Sequence, residues 1–190
     1  MISNFIKNGI NGTPNIPGDK SISHRSIIIP SISNGICEID NILKSEDVKH
    51  TINAFKKMGV KIDEVSEKLI IHGNGLNSLK KPTNEIFLGN SGTSARLLTG
   101  LLSSQKFDSI LKGDDSLSKR PMGRIADPLN NMNAKINTSD GTLPIIIKGS
   151  ELKATKIELK IPSAQIKSGI MLASLNTEGE TSIIESKVTR

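Results

Sequence analysis

The 190-residue sequence predicts an α/β (α+β) fold built from a repeated layered unit. Three observations carry that prediction. The opening Asn15-Ile16-Pro17-Gly18-Asp19-Lys20-Ser21-Ile22-Ser23-His24-Arg25 is answered about seventy residues later by Leu88-Gly89-Asn90-Ser91-Gly92-Thr93-Ser94-Ala95-Arg96, and a third opening stands at Ile161-Pro162-Ser163-Ala164-Gln165. Aligning Ser23-His24-Arg25 on Ser94-Ala95-Arg96 also brings Cys37-Glu38-Ile39 onto Asp108-Ser109-Ile110. With a small shift, Met58-Gly59-Val60-Lys61-Ile62 falls on Met132-Asn133-Ala134-Lys135-Ile136. Within each copy, segments with helical spacing alternate with short β-branched runs, so a unit reads helix, strand, helix, strand, strand. The unit exceeds the roughly 20 to 50 residues of solenoid repeats and is read as a small layered module.

The elements follow in order. Ser21 to Ser33 is the first helix. Ile27-Ile28-Ile29 alone would suit a strand, and Pro30 costs roughly 3 kcal/mol in a helix interior. The match to residues 93–104 decides for a helix, kinked at the proline. A strand near 36–40 follows. The second helix is capped by Ser45, carries Glu46 and Asp47 in its positive first turn, buries Val48, Ile52 and Phe55 on one face, and stops at Gly59. Strands near 60–64 and 68–72 close the unit. In the second copy Thr93 to Ser104 is a helix with Ala95, Leu98, Leu101 and Leu102 at helical spacing, followed by a strand near 108–112. The next helix begins near Pro121 and runs through Met122, Ile125 and Leu129, with strands near 134–137 and 144–148 after it. The third copy has a strand near 155–160, a helix in which Ser168-Gly169-Ile170-Met171-Leu172 answers Ala95-Arg96-Leu97-Leu98-Thr99, and a strand near 181–185. Its second helix and last two strands have no counterpart. The chain is therefore expected to be a fragment whose missing part would cover apolar surface.

Composition narrows the function. Lys and Arg number 25 against 19 acids, a net charge of +6, which favours anionic partners. The single cysteine, Cys37, excludes an internal disulfide, suits a reducing compartment and is read as a buried thiol in the strand Ile36–Ile39. His24, His50 and His72 lack ligand spacing, so no metal is expected. Without Trp or Tyr, and with four Phe, the chain has few platforms for single-stranded nucleic acid. No apolar run approaches twenty residues, and the N-terminus is too polar for a signal peptide.

The cations that matter are those recurring where a loop enters a helix: Lys20, Arg25 and Arg96. A helix start presents unpaired N–H groups and positive partial charge, and so attracts phosphate or carboxylate. Gly18 and Gly92 admit close approach, Ser21, Ser23, Thr93 and Ser163 add hydroxyls, and the arginines add bidentate charge. A fourth cationic element is Ser118-Lys119-Arg120-Pro121-Met122-Gly123-Arg124, where Pro121 stiffens the backbone behind Arg120.

Pro17-Gly18-Asp19-Lys20-Ser21-Ile22-Ser23-His24-Arg25, Leu88-Gly89-Asn90-Ser91-Gly92-Thr93-Ser94-Ala95-Arg96, Lys119-Arg120-Pro121-Met122-Gly123 and Pro162-Ser163-Ala164-Gln165 together resemble the 5-enolpyruvylshikimate-3-phosphate synthase family, in order and over essentially the whole chain. The resemblance implies an inside-out α/β barrel of βαβαββ units in two domains, with substrates in the cleft between them. About two and a half units fall in this chain, at about 16–84, 85–152 and a truncated 153–190. Residues 1–15 would pair with the missing second domain. It implies enolpyruvyl transfer from phosphoenolpyruvate to the 5-hydroxyl of shikimate 3-phosphate, with no cofactor. By motif, Lys20 is catalytic and touches both substrates. Ser21, Arg25, Ser163, Ala164 and Gln165 hold shikimate 3-phosphate; Asn90, Gly92 and Arg120 face phosphoenolpyruvate; Arg96 pairs structurally. The acids for proton transfer belong to the absent domain, so the fragment alone would be inactive. A cytoplasmic monomer, with phosphorylated small molecules and the C-terminal domain as partners and neither membrane nor nucleic acid, completes the expectation. Glycine at position 92 implies glyphosate sensitivity. The related UDP-N-acetylglucosamine enolpyruvyltransferase and a non-catalytic anion- or RNA-binding module are the alternatives.

Overall fold

A computed structural model describes residues 11–189. Of the segment expected to pair with another domain, residues 1–10 lie outside the described residues. The first copy contains α1 (Lys20–Ser31), β1 (Asn34–Ile39), α2 (Glu46–Lys57), β2 (Lys61–Val65) and β3 (Lys68–Asn74). The second contains β4 (Ile86–Phe87), α3 (Gly92–Ser103), β5 (Ser109–Lys112), α4 (Gly123–Asn131), β6 (Lys135–Ser139) and β7 (Thr142–Lys148). The last contains β8 (Lys156–Leu159), α5 (Ala164–Ser174) and β9 (Ser182–Glu185).

Capping fixes the helix starts. Asp19, Ser91 and Ser163 accept from the backbone N–H three residues on and so open α1, α3 and α5. Positions 19, 91 and 163 are two equal steps of 72 residues. This corrects the alignment by one position, because Ser23 faces Ala95 and not Ser94 in that register. Pro30 falls in the last turn of α1, where it removes a bond next to the terminus and not in the interior. Ser45 caps α2 as expected, and Gly59 at φ 86° ends it.

Residues 86–148 run β-α-β-α-β-β in a sheet ordered β4-β5-β7-β6, with β4 parallel to β5 and the other pairs antiparallel. The first copy forms an antiparallel sheet β1-β3-β2, and β8 pairs with β9 in parallel across α5. The leading strand β4 belongs to the βαβαββ unit that the resemblance implies but was not placed by periodicity. Two residues are too short for alternation to register.

The helix expected to begin near Pro121 starts two residues later, at Gly123. A 3-10 turn at Leu117–Lys119 precedes it, Arg120 is extended, and the N–H groups of Met122 and Gly123 donate to Gly141 O. The chain thus reaches α4 through Pro121 outside any helix, and the Pro121 carbonyl is an acceptor at the site below. Cys37 is only half-buried, because β1 is an edge strand with largely exposed faces. The expectation of a buried thiol is corrected accordingly.

The core sits around α3, every residue of which is buried except Thr93 and Arg96. Its closest neighbour is α5. A Cβ on Gly100 would lie 1.9 Å from Gly169 O, so this crossing requires glycine. An apolar groove of about 580 Å³ remains open between α1 and α5, lined by Ile29, Ile32, Leu97, Met171, Leu172 and Leu175 among others.

A candidate anion-binding recess

The N-terminal turns of α1 and α3 converge on a polar recess of about 450 Å³ lined by Lys20, Ser21, Asp47, Asn90, Gly92, Thr93, Arg96, Arg120 and Gln165. Three cations face one carboxylate there. The groove between α1 and α5 is larger but almost wholly apolar, with Arg25 as its one charge. Its donors, Arg25, Ser33 and Ser168, are spread along an otherwise apolar wall.

Each lining residue is held from a helix end or a cap. Lys20, the first residue of α1, forms an ion pair with Asp47 in the first turn of α2. Asn90 and Gly92 flank the α3 cap Ser91, and Arg120 donates through Nη2 to Asn90 Oδ1. Arg96 Nη1 donates to Gln165 Oε1 at 2.9 Å and to Gly92 O at 3.1 Å, while its Nη2 reaches Pro121 O at 3.4 Å. Gln165 Nε2 in turn donates to Thr93 Oγ1 at 3.0 Å. One guanidinium therefore joins α3, the Pro121 loop and α5. Burial, followed by the nearby Arg120 and Arg124, holds its pKa below the usual arginine value. An arriving anion would offset that crowded positive charge.

Gly92 is where the cations close in. An added Cβ would sit 2.8 Å from Arg96 Nη1 and 3.1 Å from Arg120 Nη1. Its missing side chain lets both guanidiniums approach the helix start.

Of the residues expected at the site, Lys20, Ser21, Asn90, Gly92, Arg120 and Gln165 line this recess together. Arg25 does not line it. Its Nη1 donates to Ser21 O at 3.1 Å and its Nη2 to Ser168 Oγ at 3.3 Å, one turn along α1 beside the apolar groove. Ser163 uses its hydroxyl to cap α5, accepting from Ile166 N at 3.4 Å, and Ala164 is the first residue of that helix. Ser23 turns inward, donating to Asp19 O and accepting from Leu43 N, so it offers no hydroxyl to the recess. Asp47 was missed as a site residue. Its sequence signal is that of an ordinary first-turn acid, and only the packing of α1 against α2 brings it to Lys20.

Among the described residues, no three of His, Cys, Asp and Glu cluster as metal ligands, and no helix is long and apolar enough to cross a membrane.

Residues 6–190 match a family model described as EPSP synthase (3-phosphoshikimate 1-carboxyvinyltransferase). The chain is similar to 3-phosphoshikimate 1-carboxyvinyltransferase of Vesicomyosocius okutanii, with 52% identity over 100% of this chain and 44% of that protein. It is 50% identical to the enzyme of that name from Ruthia magnifica, over 96% of this chain and 42% of the relative. A solved structure of EPSP synthase from Acinetobacter baumannii superposes with a TM-score of 0.91 and 50% identity, covering 94% of this chain and 41% of that one. The chain thus spans less than half the length of these relatives.

Proposed function

The chain belongs to the EPSP synthase family, and from that premise we propose that the whole protein transfers the enolpyruvyl group of phosphoenolpyruvate to the 5-hydroxyl of shikimate 3-phosphate. In that reaction the hydroxyl oxygen gives up its proton and bonds to C2 of phosphoenolpyruvate while the methylene carbon takes a proton, giving a tetrahedral adduct. The adduct then loses inorganic phosphate and a methyl proton, which restores the carbon–carbon double bond as an enol ether. The observation that carries the reading is the recess itself: Lys20, Arg96 and Arg120 gathered with hydroxyls where two helix N-termini meet.

In this reading Lys20 touches both substrates, its ammonium held in place by Asp47. Asn90, Gly92 and Arg120 take phosphoenolpyruvate. Ser21, Arg25, Ser163, Ala164 and Gln165 take shikimate 3-phosphate, Arg25 from the turn below Ser21 and Ser163 with Ala164 from the start of α5. Arg96 holds Gln165 and the Pro121 carbonyl, and so shapes both halves. Asp47 is the only carboxylate lining the recess among the described residues, and it is already paired. Proton transfer is therefore assigned to the part of the relatives beyond the matched stretch, and the chain alone is expected to show no turnover. Residues 16–190 would supply most of one wall of a two-domain cleft, in a cytoplasmic, monomeric enzyme that glyphosate inhibits.

The test is a chimera joining residues 1–190 to the unmatched remainder of the Vesicomyosocius okutanii relative. Phosphate release from phosphoenolpyruvate that requires shikimate 3-phosphate is expected from the chimera and not from the chain. A well-folded chimera without that activity would sink the proposal.

A further inference from the structure

Behind the recess, α1, α2 and α3 are joined by four polar side chains that take no part in its lining. His24 is fully buried, with Nδ1 2.8 Å from Thr51 Oγ1 and 3.3 Å from Ser94 Oγ. Thr51 Oγ1 and Ser94 Oγ are 2.6 Å apart, as are Ser94 Oγ and Ser91 Oγ. Each element of this chain sits beside a recess residue: His24 one turn after Lys20, Thr51 one turn after Asp47, and Ser91 between Asn90 and Gly92.

Counting protons leaves two arrangements, one for each tautomer of His24, and the surroundings of Nε2 choose between them. Each hydroxyl donates once, and Asp47 O, 3.2 Å from Thr51 Oγ1, can only accept. Ser91 Oγ accepts from Ser94 N at 3.2 Å. His24 Nε2 meets no hydrogen-bond partner among the described residues. A proton there would leave a buried N–H unpaired, whereas a bare lone pair is the cheaper orphan. With the proton on Nδ1, the ring donates to Thr51 Oγ1 and Thr51 donates to Asp47 O. Ser91 then donates to Ser94, and Ser94 to Thr51. Every hydroxyl is satisfied. The ring is neutral: burial depresses its pKa to about 4, with Lys20 and Arg25 acting in the same direction and Asp47 against it.

We propose that His24, neutral and protonated on Nδ1, is a positioning residue that holds Lys20 and Asp47 in register with Asn90 and Gly92 through Thr51, Ser94 and Ser91. The consequence for affinity rests on the recess being the shikimate 3-phosphate site; the tautomer and the register do not.

The experiment uses the 190-residue chain labelled with nitrogen-15. Ring nitrogen shifts of His24 are expected to report Nδ1–H at pH 7, against the Nε2–H form that neutral imidazole prefers in water. Thr51→Val is expected to shift the backbone amides of Lys20, Ser21, Asn90 and Gly92 while the rest of the spectrum stays folded. It should weaken shikimate 3-phosphate binding about three- to tenfold, the net worth of one hydrogen bond, and Thr51→Ser should restore it. An Nε2–H tautomer overturns the proposal. So does Thr51→Val that leaves the recess amides unmoved. If the parent chain does not bind shikimate 3-phosphate but Thr51→Val still shifts those amides, the positioning role stands and the substrate assignment falls.

Discussion

Replacing Gly92 by alanine separates substrate capture from folding. The new Cβ would lie 2.8 Å from Arg96 Nη1 and 3.1 Å from Arg120 Nη1. Both are ends of flexible side chains, so they retreat by roughly half an ångström to reach ordinary van der Waals separation. The Arg96 bond to Gln165, now 2.9 Å, then lengthens to roughly 3.4 Å and weakens. The Arg120 grip on Asn90 is displaced with it. Losing one charge-assisted hydrogen bond costs about 1.5–3 kcal/mol, or about tenfold or more in affinity. The fold should not suffer, because position 92 opens α3 and alanine gains up to about 1 kcal/mol over glycine in a helix. In the chimera described above, the KM for phosphoenolpyruvate is expected to rise about tenfold or more and glyphosate inhibition to weaken. The KM for shikimate 3-phosphate should rise less, because Gln165 keeps its bond to Thr93 Oγ1, and the Tm of the variant chain should stay at or slightly above the parent's. Equal rises in both KM values, or a clear drop in Tm, would refute the argument that this glycine serves the guanidiniums.

Two further expectations concern stability. Gly100→Ala drives a methyl group into Gly169 O, backbone against backbone at the α3–α5 crossing, and no rotamer change can relieve it. Despite the better helix propensity it should lose about 1–3 kcal/mol in urea unfolding; an unchanged urea midpoint would mean that α3 and α5 do not cross this closely. His24 has a folded pKa of about 4 against an ordinary 6.5, so the unfolded chain takes up its proton first as pH falls. Its contribution is complete above pH 6.5 and is lost on descending towards pH 4, roughly 3 kcal/mol in all. Urea midpoints between pH 7 and 5 should fall accordingly, and most of that slope should vanish in His24→Asn.

What the sequence revealed was mostly local. Ser45, Ser91 and Ser163 lie directly before their helices and could be read as caps or openings, and the periodicity of Leu98, Leu101 and Leu102 marks α3 without reference to anything distant. The start of α4 lies two residues past Pro121 because Met122 and Gly123 donate across to Gly141, a contact that Pro121 does not advertise. Cys37 was misread because alternation along β1 cannot show that the strand is an edge. At the site, Lys20, Asn90, Gly92 and Arg120 were legible from their motifs. Asp47 and His24 were not, since their partners stand on other helices, in the case of His24 27 and 70 residues away. Arg25 and Ser163 were read as direct ligands, and the fold gives each a structural bond as well.

The central claim is that the first turns of α1 and α5, with Lys20 touching both substrates, grip shikimate 3-phosphate. Calorimetric titration of that compound into the chain tests it directly, with shikimate as the unphosphorylated control and Lys20→Ala as the variant. One saturable site per chain, absent for shikimate and lost in Lys20→Ala, is the expected result. Absence of heat with the folded parent chain, or equal binding by the variant, would contradict the account.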